Sequence, residues 1–95
     1  MPYRIDIYIG SDNGSRRIDD NYLSKIRSWA DGIFPDGYTF VRGQGYYRGT
    51  SEDSLLINVL SYDEPSLREQ LMQLKHELSQ EAILVSKTHV DLEMI

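Results

Sequence analysis

An α+β fold of the ferredoxin-like type is what this sequence predicts, and three observations predict it. Four segments carry strand patterns: Tyr3–Ile9, Tyr38–Arg42, Leu55–Leu60 and the stretch from Ile83 to Met94. Two segments carry apolar residues at helical spacing, one after Asp19 and one after Asp63. Their order is β-α-β-β-α-β, which gives an antiparallel sheet with both helices on one face. At 95 residues, the chain is expected to form a single ferredoxin-like domain, 1–95.

Each element has a local reason. Ile5, Ile7 and Ile9 alternate with Asp6 and Tyr8, the period-two pattern of a half-buried strand. Gly10–Ser15, GSDNGS, consists of turn formers. Asp19 is placed to cap the first helix, and Ile18 and Leu23 stand at the spacing of a hydrophobic staple. Leu23, Ile26, Ala30 and Ile33 form the stripe, widened by Tyr22 and Trp29, and the helix is expected to end near Asp31 or Gly32. Phe34-Pro35-Asp36-Gly37 reads as a turn.

Strand two is expected over Tyr38–Arg42. Gly43 and Gly45 interrupt its pattern and suggest a bulge, then a long glycine-broken connection to strand three. In strand three, Leu55, Ile57 and Val59 are assigned to the helix side. Leu56 and Leu60 then lie on the bare face, which points to a subunit interface. Asp63 is expected to cap the second helix, with Pro65 in its first turn and Glu64–Arg68 as an i,i+4 pair. Leu67, Leu71, Leu74 and Leu78 make its core stripe. Ile83–Val85 and Val90–Met94 are out of phase, so a kink near Lys87 or two short strands are expected.

Composition narrows the function. The chain has no cysteine, which removes disulfides and thiolate chemistry. Its formal net charge is -5, unsuited to non-specific nucleic-acid binding, which rests on neutralising phosphates. No run approaches the ~20 apolar residues of a membrane span. MPYRIDIYIG lacks a signal-peptide pattern, so a cytoplasmic location is expected. No cofactor motif or metal-ligand set is legible. A domain this small buries roughly 60–65% of its chain's surface, and a homo-oligomer, dimer or trimer, is the expected remedy.

One stretch holds a dense set of binding groups: Arg42, Gln44, Tyr46, Tyr47 and Arg48, with Glu52 as a possible partner of Arg42 or Arg48. Two guanidiniums grip a carboxylate or phosphate, tyrosines stack and hydrogen-bond, and glycines admit a close backbone approach. The competing reading is a solvated hairpin loop whose tyrosines pack on a sister subunit. The Gly10–Arg17 loop reads first as a simple turn, with an anion cradle as the lesser alternative. His89, Asp91 and Glu93 read as one polar strand face.

The chain also resembles a known family. IDIYIG, the turn Phe34–Gly37, Gly45–Arg48, Glu52–Leu55 and Gln80–Leu84 follow the order of the uncharacterised family called domain of unknown function 3574. That resemblance implies that the matched residues do more than fill a core, and it supplies no activity. The chain departs from it in lacking a secretory leader and in placing Asp53 between Glu52 and Ser54. A topological likeness to PII-like and CutA-like proteins implies an oligomer, with a ligand pocket between subunits.

Three functional expectations follow. One is a small oligomeric binding protein, holding an anionic nucleotide-like ligand at the strand 2–strand 3 connection to sense or sequester it. The second is an enzyme with His89 or Glu52 as its acid–base group. The third is a protein-interaction or inhibitor domain, of a kind that a phage could encode, using its acidity and the apolar face of Leu56 and Leu60.

Overall fold

A computed structural model describes residues 1–95. The elements run β1 (Tyr3–Gly10), α1 (Asp20–Ile33), β2 (Thr39–Tyr47), β3 (Thr50–Ser61), α2 (Arg68–Glu77) and β4 (Leu84–His89). The strands form one antiparallel sheet in the order β2-β3-β1-β4. This is the expected α+β, ferredoxin-like arrangement, with β1 and β3 central.

The core lies between the sheet and the two helices. Ile5, Ile7 and Ile9 from β1 meet Leu55, Ile57 and Val59 from β3. Tyr22, Ile26 and Ala30 from α1 and Leu71 and Leu74 from α2 close over them. Fully burying one such aliphatic side chain stabilises the fold by about 1.5–3 kcal/mol. Leu67 and Leu78, just outside α2, are buried as well, so the whole leucine stripe reaches the core.

Asp19 caps α1 as its sequence predicts: its carboxylate accepts from the Tyr22 N–H at 2.8 Å. The helix runs one residue past the glycine, to Ile33, and the Phe34 N–H closes it on Ala30 O. Trp29 donates its ring N–H to Gln70 O at 3.0 Å, which ties the helices together.

Four local expectations are corrected. β2 does not stop at Arg42 and carries no bulge: its ladder with β3 is continuous from Thr39 to Tyr47. The long connection is a two-residue turn, Arg48–Gly49, with φ of 50° and 79°. Positive φ at both central residues is the hairpin turn whose twist matches the strands. Second, α2 starts at Arg68 behind Leu67, without a side-chain cap, rather than at Asp63. Third, Glu64 therefore has no helical neighbour in Arg68; its carboxylate takes the Tyr3 hydroxyl and the Lys87 ammonium instead. Fourth, β4 is one unkinked strand, and residues 90–95 lie outside it.

Side-chain alternation divides the sheet. Opposite the helices, one cross-strand row is apolar throughout: Val41, Leu56, Tyr8 and Leu84. Val41, Tyr8 and Leu84 are 50%, 43% and 66% exposed, so this row is uncovered. The next row toward the hairpin is nearly bare of side chains: Gly43, Ser54 and Gly10.

Candidate ligand site at the end of β1

The polar groups of this domain converge where β1 ends. Ser11 is its one buried polar residue, and its hydroxyl donates to one Glu52 oxygen at 3.0 Å. The Tyr22 hydroxyl reaches from α1 and donates to Gly10 O at 2.7 Å. Gln80 spends its amide N–H groups on Ser11 O (2.6 Å) and the Tyr22 oxygen (2.9 Å). Burial pushes the Tyr22 phenol up to about 12; the hydrogen bond from Gln80 opposes that rise, and the carboxylates of Asp12 and Glu52 add to it.

Gln80 owes its position to the way α2 ends. Ser79 sits at φ 54°, and the N–H groups of Ser79 and Gln80 return to the carbonyls of His76 and Lys75. That pair of bonds is a Schellman closure with serine at its left-handed position. Asn13 holds the same corner, its amide donating to Ser79 O at 3.2 Å.

Two acceptors remain free, and they face each other over Gly10. A Cβ added at Gly10 would stand 3.4 Å from Gln80 Oε1 and 3.8 Å from Glu52 Oε1. Neither oxygen accepts a hydrogen bond from the chain. The missing side chain thus leaves a notch, floored by backbone and rimmed by an amide oxygen and a carboxylate oxygen. Next to it lies a recess of about 250 Å³ lined by Arg16, Tyr47, Arg48, Thr50 and Glu52. The Arg48 guanidinium lies over the Tyr47 ring, 5.2 Å from its centre. Neither Arg16 nor Arg48 is in an ion pair.

The six residues singled out from the sequence are split by the pleat of the strands. Glu52 and Tyr47 stand on the bare face, and Arg48 is in the turn between them. Arg42 and Gln44 point to the helix side. There Arg42 donates to Ile18 O at 2.8 Å, and Gln44 donates to Asp53 at 3.0 Å. Arg42 fastens the hairpin to the loop before α1, and Gln44 steadies Asp53, which accepts from the Ile18 N–H of that loop. Tyr46 shares their side, 75% exposed. Glu52 is paired with Ser11 rather than with either arginine.

The other candidates fall away from the notch. In the Gly10–Arg17 loop, the N–H groups of Gly14 and Ser15 are taken by the Asp12 side chain, so the loop is a closed turn and not an anion cradle. These bonds hold the Asp12 carboxyl below its ordinary value. His89 packs on Tyr3, ring centres 4.4 Å apart, at the end of β1 opposite Gly10. It shares no site with Glu52. Sequence reasoning did not place Ser11, Tyr22 or Gln80 beside Glu52: Ser11 stood only in the Gly10–Arg17 loop, Gln80 only in the matched segment Gln80–Leu84, and Tyr22 only on the helix stripe. Tyr22 carried one signal, a phenol on a core stripe that needs a polar partner.

No protein-family profile matches the chain, and no curated protein matches it. Among solved structures, a phage SAM lyase in its apo state has a similar fold, with a TM-score of 0.62 and 19% identity. The match covers 90% of this chain and 78% of that one. A de novo designed protein, Foldit4, aligns at a TM-score of 0.44 and 13% identity, over 95% of this chain and 97% of that one.

Proposed function

We propose that this chain, in an assembly of several copies, binds SAM (S-adenosylmethionine) at the notch over Gly10 and acts on it as a lyase. One observation carries the reading: Gln80 Oε1 and Glu52 Oε1 converge, unpartnered, on the space that a glycine leaves open. Converging acceptors suit a cation and repel a phosphate. A sulfonium is such a cation, and it has no N–H or O–H that would need a geometric match. The neighbouring recess suits the rest of the molecule. Arg16 and Arg48 complement a carboxylate, and Tyr47 offers a face for a purine. The fold shared with a phage SAM lyase agrees with this reading.

The chemistry asks little of the chain. A sulfonium carries its own leaving group: as the C–S bond breaks and its electron pair goes to a neutral thioether, an oxygen of the substrate's own carboxylate bonds to the carbon released, closing a ring without a nucleophile from the chain. Positive charge on sulfur disappears in that step. A carboxylate fixed beside it therefore favours the bound substrate more than the transition state, and only differential stabilisation raises the rate. Glu52 thus serves binding, and the acceleration comes from holding the substrate folded with its reacting atoms in line.

Calorimetric titration with SAM, S-adenosylhomocysteine and ATP tests the ligand. SAM should bind most tightly, because the homocysteine analogue lacks the sulfonium charge. Glu52→Gln should weaken SAM by about tenfold or more, the scale of a lost charge-assisted contact. Chromatography should show SAM consumed by the wild-type chain. Equal affinity for the charged and uncharged analogues would sink the reading.

The unpaired guanidiniums of Arg16 and Arg48 favour a second reading, an anionic nucleotide held to be sensed or sequestered. Tight ATP binding lost in Arg48→Ala and kept in Glu52→Gln would establish it instead.

A further inference from the structure

A larger groove than the recess beside the notch lies elsewhere on the molecule. It runs between α2 and β4, about 540 Å³ in volume. Its floor is apolar: Leu67, Leu71, Met72, Ile83 and Val85. Its lip is cationic, with Arg68 and Lys75 from the helix and Lys87 from the strand, against one acidic lining residue, Glu81. Lys87 is paired with Glu64 at 3.3 Å, while Arg68 and Lys75 make no ion pair.

The same chain carries a segment of the opposite character. Residues 90–95 read Val-Asp-Leu-Glu-Met-Ile. In extended form, Val90, Leu92 and Met94 share one side and Asp91 and Glu93 the other. Val90 and Leu92 are half-buried, while Met94 and Ile95 are among the most exposed apolar residues of the domain. The segment does not turn back to its own groove. The Val90 N–H donates to Pro2 O at 3.2 Å, which extends the β4–β1 pairing by one step, and none of residues 90–95 lines the groove.

We propose that residues 90–95 of one copy lie in the α2–β4 groove of a second copy of this chain. The two surfaces match in chemistry. Val90, Leu92 and Met94 cover the apolar floor, and Asp91 and Glu93 meet Arg68 and Lys75 at the lip. They match in length too: six extended residues span about 20 Å, as does a six-residue strand such as β4. Both apolar surfaces leave water in one contact, which neither achieves within a single copy. The contact is independent of what the notch binds.

The absence of cysteine makes the test direct. Full-length Met72→Cys and a size-tagged full-length Met94→Cys are mixed and oxidised. The expected product is the mixed disulfide, seen on a non-reducing gel. It should disappear when Asp91→Lys and Glu93→Lys are added to the second chain. It should return when Arg68→Glu and Lys75→Glu are then added to the first. Ser28→Cys on exposed α1 replaces Met72→Cys as the control for random collision. A mixed product no more abundant than that control, or one indifferent to the charge reversals, overturns the proposal.

Discussion

Tyr22 ties three parts of the fold at one oxygen. Its hydroxyl donates to Gly10 O and accepts from Gln80, so it links α1, the end of β1 and the turn that follows α2. Tyr22→Phe leaves the ring in the core and strips both bonds. It should destabilise the domain by about 1–2 kcal/mol, read from urea unfolding. The phenol's raised value, about 12 against an ordinary 10.0, means that the folded state resists its ionisation. Its contribution is whole below the ordinary value and is lost as pH rises through the folded one. The phenylalanine variant should lose less stability across that alkaline window. Asp53 sets the acid side. The Ile18 N–H, then the Gln44 amide, hold its carboxyl below the ordinary 3.8, and Asp12 is lowered in the same direction by Ser15 and Gly14. Stability from such groups is complete above the ordinary value and disappears as pH falls through the folded one. Unfolding followed from neutral pH downward should therefore steepen below about pH 4, and less so in Asp53→Asn.

At the scale of elements, the end of α2 matters as much as its leucines. Ser79 occupies a backbone region that costs an L-residue about 1–2 kcal/mol, part of which glycine would return to unfolded-state freedom. Ser79→Gly should stabilise the domain by about 0.5–1 kcal/mol and leave SAM affinity unchanged, checked by melting and titration together. The same closure explains what the sequence did and did not disclose. β1, α1 and the leucine stripe were legible because burial on one face imposes a period, two or 3.6, on apolar residues. The notch imposes no period. Gly10, Glu52 and Gln80 meet only because β1 pairs with β3 and Ser79 turns the chain back. Arg42 and Gln44 looked like neighbours of Tyr47 and Glu52 only while the connection was read as a loop. Once β2 is a strand to Tyr47, its pleat sends them to the other side. Asp63 was a good cap by type, yet the helix begins only where Leu67 can reach the core.

At the scale of the whole molecule, the face opposite the helices carries exposed apolar side chains. Val41, Leu56, Tyr8 and Leu84 form an apolar band next to the glycine-floored notch. An assembly that covers this band would also wall the notch, so association and ligand binding should be linked. Leu56→Lys places a charge in the middle of the band. Native mass spectrometry should show it with fewer subunits than the wild-type chain, and SAM affinity should fall with the subunit count; an unchanged mass would show that the band is not a contact. The turn at Arg48–Gly49 has a consequence of another kind, for the order of folding. β2–β3 is the only strand pair that two residues connect. Pairing β1 with β3 or β4 must first close a long stretch of chain. A hairpin of this kind forms in about 1–10 μs, well before such closures become favourable. We therefore expect β2–β3 to pair first and to give β1 a formed edge to join, so that a substitution disrupting the Arg48–Gly49 turn slows folding more than it speeds unfolding.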